Sequence, residues 1–242
     1  MAAFEHAVRL GVDVLELDLG LTSDGVLVVA HDPEVNETLC LGAERLPRRQ
    51  IRDLTFEQVQ SLDCGARKNP RFPDQRPVPG QRIPRLERVL DLLARWPKVG
   101  ANIEIKTFPR RREVTWPPAR FAQVLVPLLV ERGLAGRTTV QSFDPTALRE
   151  VARLAGRRLV LAALVDRREE IEPMLRATGA RVLSPRHSEI EPAELARLQQ
   201  RGLRVIPWTV NDPPRMKELI GWGVDGIITD RPDLLLKVLR RR

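Results

Sequence analysis

Short apolar runs rich in β-branched residues alternate along the chain with longer segments in which apolar residues recur at helical spacing. The short runs predict strands at residues 14–19, 101–105, 138–142, 159–164, 181–183, 203–207 and 226–229. The segments between them predict helices at residues 86–96, 120–132, 145–155, 168–178, 192–201 and 213–222. Repeated strand-helix units favour a parallel sheet with right-handed crossovers, and therefore an α/β fold of the TIM-barrel type.

One stretch interrupts this alternation. Residues 33–85 are rich in Pro, Gly and Arg and contain only a short helix signal, LTFEQVQSL, for which Thr55 is the expected N-cap. Just before it, the dipeptide Asp24-Gly25 is typical of a tight hairpin turn, whose return arm at residues 26–30 leads to His31. We therefore expect residues 1–242 to form one barrel domain with a small insertion at about 33–85 after the barrel's second strand.

The count of strands is one short of a closed eight-stranded barrel. The chain ends with a helix after the predicted strand at 226–229, but residues 1–10 already have a helical pattern with no strand before them. In a strand-helix alternation the absent element is then the first strand. The pattern therefore predicts a barrel that is incomplete at its N-terminus and that would expose two sheet edges.

Composition excludes several functional classes. The formal charge of +8 comes mainly from scattered arginines, and the few aromatic residues are not interleaved with them, so no nucleic-acid partner is expected. No apolar run approaches the roughly 20 residues that span a bilayer, so we expect no stable membrane insertion. Cys40 and Cys64 predict neither a disulfide framework nor a metal site. The expected location is cytoplasmic, or secreted or periplasmic if a signal peptide lies upstream of Met1; no pattern predicts an oligomeric state.

Acidic residues occur where barrel strands end. Glu16 and Asp18 alternate in VLELDL, so both carboxylates point to one face, and ANIEIKT places Glu104 and Lys106 on one face at the end of the next barrel strand. Three carboxylates form a hard-oxygen site suited to Mg²⁺ or Ca²⁺. A metal bound there, together with the positive charge of Lys106, could neutralise the charge of a phosphate ester. The alternative is that these acids are structural charges at strand ends.

Other side chains could complete such a site. His31 is a candidate general acid or base because its ordinary pKa lies near neutral pH. His6 is expected on the surface, and His187 is a loop histidine with no partner acid. Trp208, in VIPWTVND, either packs in the core or forms an apolar wall for the non-phosphate part of a substrate.

Six segments in order resemble the glycerophosphodiester phosphodiesterases: GVDVLELDLGLTSDGVLVVAHD, IPRLERVLDLL, NIEIK, VQSFDP, WTVN and GVDGIITDRP. The resemblance implies a TIM barrel with an inserted subdomain, a divalent cation, and hydrolysis of glycerophosphodiesters to glycerol 3-phosphate and an alcohol. It also implies roles for particular residues. The implied metal ligands are Glu16, Asp18 and Glu104, the implied catalytic histidine is His31, the implied phosphate contact is Lys106, and the implied pocket residues are Gln141 and Trp208. Arg85 replaces a common Thr.

The chain differs from the pattern of this family at its N-terminus. The family begins with a strand ending in His-Arg-Gly and then a Glu-Asn-Thr segment, and neither has a counterpart before Ala2. One explanation is a start codon assigned too late or a cut gene, in which case the chain as given is predicted to be unstable and nearly inactive. The other is an inactive remnant or a relic that binds metal or phosphoesters. A lysophospholipase D-like activity fits the same residues, and a barrel lyase would need His187 as its base.

Overall fold

The structure is a computed structural model that describes residues 1–240. Its α-helices are α1 (Ala2–Leu10), α2 (Phe56–Gln60), α3 (Leu86–Arg95), α4 (Pro118–Glu131), α5 (Pro145–Ala155), α6 (Ile171–Thr178), α7 (Pro192–Gln200), α8 (Pro213–Trp222) and α9 (Pro232–Arg240). Its strands are β1 (Val14–Leu21), β2 (Leu27–Val29), β3 (Gly100–Ile105), β4 (Thr138–Ser142), β5 (Val160–Val165), β6 (Val182–Pro185) and β7 (Arg204–Val205). No helix in this described part is both long and apolar enough to cross a membrane.

The strands form one sheet in the order β2-β1-β3-β4-β5-β6-β7. All neighbours from β1 to β7 run parallel, whereas β2 runs antiparallel to β1 as the return arm of a hairpin. Each of the helices α4 to α7 connects one parallel strand to the next between β3 and β7, because the chain must cross back along the sheet before it can form a parallel neighbour. The predicted α/β class with a mostly parallel sheet is therefore confirmed.

The alternation along the strands separates an apolar face from a polar one. In β1, Leu15, Leu17 and Leu19 are buried in the main hydrophobic cluster together with residues of α3 and α4. Glu16 and Asp18 lie between them and thus point to the opposite face. In β3, Ala101, Ile103 and Ile105 join the same cluster in the same way. The helices cover one face of the sheet, and the polar side chains of β1 and β3 share the other face.

The prediction of a regular strand at 226–229 is wrong. Ile228 N–H donates to the Pro207 carbonyl and Val210 N–H donates to the Ile228 carbonyl, both at 3.0 Å, so this segment does lie beside the continuation of β7. It does not form a strand because Pro207 has no N–H to continue the ladder and β7 itself is only two residues long. Residues 1–240 thus contain six parallel strands and the hairpin strand β2.

The stretch between β2 and α3 overlaps the predicted insertion and has a small core of its own. Thr55 caps α2 through a capping box with Gln58, and a separate apolar cluster forms around Ile51, Leu54 and Val59. Here the prediction that the cysteines form no disulfide is corrected, because Cys40 and Cys64 are bonded at 2.10 Å. The antiparallel bridge between Leu41 and Asp63 brings the two cysteines together across 24 residues of sequence, which spacing alone does not indicate.

Candidate metal and phosphoester site

Three carboxylates meet on the polar face of the sheet. Glu16 and Asp18 come from β1 and Glu104 from β3, and ligand oxygens of the three lie within 4.8 Å of one another. The strand register explains the meeting, because Asp18 is the direct partner of Glu104 across the parallel pair. Glu104 is only 5% exposed. The sequence-based prediction that these three acids converge is therefore matched by the geometry.

Lys106 supplies the positive charge beside this carboxylate cluster. Its Nζ lies 3.1 Å from Oδ1 of Asp18 and 3.3 Å from the carboxylate of Glu104. The lysine side chain is 14% exposed and follows β3 directly, on the same face as Glu104 two residues earlier. One ammonium therefore contacts two of three neighbouring carboxylates.

The electrostatics of the cluster favour a further cation. Burial and the neighbouring Asp18 raise the pKa of Glu16 to about 8. Burial also raises the pKa of Glu104 well above its ordinary value, although Lys106 opposes the shift. Burial acts to lower the pKa of Lys106, but the carboxylates of Glu104 and Asp18 outweigh it and the pKa rises. Clustered carboxylate oxygens that resist ionisation beside a single ammonium are a donor set that fits Mg²⁺ or Ca²⁺.

A chain of buried amides ends on one of the carboxylates. Gln141 of β4 donates through Nε2 to Oε1 of Glu16 at 2.8 Å, and Asn102 of β3 donates through Nδ2 to Oε1 of Gln141, also at 2.8 Å. Gln141 is 1% exposed and Asn102 is buried as well. Gln141 thus contacts one carboxylate of the cluster directly, and its predicted contact with a substrate stays a prediction.

His31 lies at the rim of the same region. Its ring Nδ1 is 2.8 Å from Oδ1 of Asp32, and its side chain is 68% exposed. A narrow cleft has both His31 and Lys106 in its lining, together with Arg52 and Trp116. The hairpin thus brings His31 to a cleft that Lys106 also lines, although none of the three carboxylates is among its lining residues.

Trp208 is at the other end of the sheet, after β7. Its indole N–H donates to the Ser184 carbonyl at 2.8 Å, its ring meets Phe143 edge-on at 5.4 Å, and the Arg186 guanidinium lies over it at 5.2 Å. The ring is partly buried and packed, and its role as an apolar wall for a substrate stays a prediction. The described contacts do not join it to the carboxylates.

The other two histidines lie on other parts of the fold. His6 is exposed on α1. His187 follows β6, and burial together with Arg215 and Arg186 lowers its pKa. Neither of them makes a described contact with Glu16, Asp18 or Glu104.

Sequence reasoning missed two sets of residues. Asn102 carries a recognisable signal, because it precedes Glu104 and Lys106 at spacings of two and so shares their face. Asp144 is fully buried, caps α5 by accepting from Thr146 N–H, and binds both Thr107 and Arg112. Only its position before Pro145 marks it in the sequence, as an expected helix N-cap.

Comparison with known proteins decides the family. The model of the glycerophosphoryl diester phosphodiesterase family matches residues 1–234. The chain belongs to this family. A glycerophosphodiester phosphodiesterase of Caldanaerobacter subterraneus subsp. tengcongensis is 32% identical over 243 residues, covering 100% of this chain and 91% of the relative. One from Bacillus subtilis strain 168 is 29% identical and covers 98% of this chain and 80% of its own length.

Solved structures agree with this assignment to the phosphodiesterase family. A protein of Silicibacter pomeroyi DSS-3 superposes with a TM-score of 0.88 at 27% identity, covering 98% of this chain and 86% of that chain. A glycerophosphodiester phosphodiesterase of Parabacteroides distasonis ATCC 8503 gives 0.74 at 25% identity, covering 98% and 88%. The fold is thus TIM-barrel-like. The family match starts at residue 1, so it does not support the expected absence of a first strand.

Proposed function

We propose that this phosphodiesterase hydrolyses glycerophosphodiesters to glycerol 3-phosphate and an alcohol with the help of a divalent cation. The observation that carries the proposal is the carboxylate cluster of Glu16, Asp18 and Glu104 with Lys106 beside it, in a chain of this family. Hydrolysis of a phosphate diester needs positive charge beside the oxygens on which negative charge develops. The carboxylates can bind a cation that supplies this charge, and Lys106 adds an ammonium.

The proposed roles follow from the chemistry of each side chain. Glu16, Asp18 and Glu104 would hold the cation, Mg²⁺ or Ca²⁺, which when bound supplies Lewis-acid charge to the phosphate. Lys106 would turn its ammonium from the carboxylates toward a phosphate oxygen. His31, whose Nδ1 contacts Asp32, would exchange a proton with the reacting oxygens through Nε2.

The non-phosphate part of the substrate has a candidate wall. Trp208 presents an indole held by Ser184 and Phe143, and we propose that it packs against the glycerol or alcohol carbons. A structure of similar fold, a phosphodiesterase of Oleispira antarctica with a TM-score of 0.81 at 19% identity, was solved with the product sn-glycerol-3-phosphate. Its level of identity supports the fold alone.

The test is turnover of glycerophosphocholine by the purified chain, measured as glycerol 3-phosphate released with Mg²⁺, with Ca²⁺ and with a chelator. We expect cation-dependent release, and His31→Ala should lower kcat by about 10²- to 10⁴-fold because a proton-transfer group is lost. The matched control is His6→Ala, since His6 is exposed on α1. Equal turnover with and without chelator would contradict the metal role.

The same assay separates the alternatives left by the sequence. Cation binding without turnover would favour a relic that binds phosphoesters, and it would agree with the prediction that this chain is impaired. Release of choline from lysophosphatidylcholine but not from glycerophosphocholine would favour a lysophospholipase D-like activity.

A further inference from the structure

We infer that Asn102 and Gln141 are positioning residues that aim the Glu16 carboxylate at the bound cation. The inference rests on the proposed role of Glu16 as a metal ligand. It concerns two neutral, buried amides that form a relay across three strands: Asn102 on β3, Gln141 on β4 and Glu16 on β1.

The hydrogen bonds of this relay are compatible with one orientation of the Gln141 amide only. The Gln141 NH₂ group faces Glu16, and the Gln141 carbonyl oxygen must therefore face Asn102 and accept a hydrogen bond there. If the amide of Gln141 were turned over, its oxygen would oppose a carboxylate oxygen of Glu16. The NH₂ group of Asn102 prevents this, because only a donor at that position stabilises the working orientation of Gln141.

The relay has a cost that packing does not explain. Oδ1 of Asn102 is buried and has no hydrogen-bond partner among residues 1–240. A buried acceptor without a partner destabilises the fold, and apolar side chains of the same shape in place of both amides would avoid the penalty. An amide that is present here at a cost in stability points to a role in the adjoining carboxylate site.

The effect on Glu16 is geometric. Gln141 holds one carboxylate oxygen of Glu16 at 2.8 Å and so restrains rotation of the group, which leaves the other oxygen for a cation shared with Asp18 and Glu104. Partners behind a ligand of this kind typically change metal affinity by about 10- to 100-fold when they are removed. Asn102 acts one bond further away, so its removal should have a smaller effect in the same direction.

The experiment is calorimetric titration of the full chain with Ca²⁺ and with Mg²⁺, using variants that keep side-chain shape. Gln141→Met should raise the Kd for the cation by about 10- to 100-fold. Asn102→Leu should raise it by less, while the Tm of the metal-free protein should change little, because the unpaired Oδ1 is lost but Oε1 of Gln141 loses its donor. The matched control is Thr139→Val, which changes a half-buried neighbour on β4.

The double variant adds a second readout. If Asn102 acts only through Gln141, then adding Asn102→Leu to Gln141→Met should not raise the Kd further. Unchanged cation affinity in both single variants, with wild-type binding intact, would overturn the inference and leave the proposed function standing. A wild-type chain that binds neither cation would overturn the proposed function and this inference together.

Discussion

Replacing Lys106 with Met removes the ammonium that contacts the carboxylate cluster and keeps most of the side chain's length. Its Nζ lies 3.1 Å from Asp18 and 3.3 Å from Glu104. At an effective dielectric constant of about 20, each of these contacts is worth roughly 5 kcal/mol of gross attraction. Desolvation of the lysine offsets much of this, and loss of one partner from a buried pair typically destabilises by about 3–5 kcal/mol.

The loss should depend on pH, and its sign follows from the carboxylates. Burial raises the pKa of Glu16 to about 8, so between its ordinary value of 4.5 and about 8 the folded protein binds more protons than the unfolded chain. Stability of the metal-free protein therefore falls as pH rises through this window. Without Lys106, the repulsion between the ionised carboxylates is no longer offset by its ammonium. Lys106→Met should therefore lower the free energy of unfolding by the full amount, about 3–5 kcal/mol, above about pH 8, and by clearly less near pH 5, where Glu16 is protonated.

The assay is urea unfolding with chelator present at about pH 5 and about pH 8.5, with Lys98→Met as the control for an exposed lysine. Adding Ca²⁺ or Mg²⁺ at the higher pH should restore much of the lost stability, because the cation replaces the missing charge and binds only the folded state. A Lys106→Met loss that is equal at both pH values, or no larger than that of Lys98→Met, would refute this account.

Three further predictions concern stability. Changing Cys40 and Cys64 to Ser together should lower the free energy of unfolding by about 3.5 kcal/mol, since the crosslink spans 24 residues; a wild-type protein indifferent to reductant in urea unfolding would disagree. Phe121→Ala, at a fully buried side chain, should cost about 3–5 kcal/mol in the same assay, and a loss under 1 kcal/mol would argue against the core packing. Burial acts to raise the pKa of Asp144, but Arg112 outweighs it and lowers the pKa. Asp144→Ala should therefore cost about 2–4 kcal/mol at neutral pH and less in acid, as pH falls through the lowered pKa; a deficit that does not shrink in acid would contradict this.

Much of the site could be predicted because its signals are local. Glu16 and Asp18 share a face through the period of two in a strand, and Glu104 and Lys106 repeat that spacing on the next barrel strand. The parallel register of β1 and β3 then aligns Asp18 with Glu104. The hairpin leading to His31 could also be predicted, because an Asp-Gly turn with flanking apolar residues determines how the two strands pair.

The sequence by itself determined the strand-helix alternation, the face on which the acids lie, and the family to which the motifs belong. Those properties depend on spacing within a few residues and on the order of segments. Only the tertiary structure decided that Gln141 contacts Glu16 across 125 residues, that Cys40 meets Cys64, and that residues 226–229 form no regular strand. Each of these depends on how distant backbone segments are aligned, and that alignment is set by packing of the whole sheet rather than by local pattern.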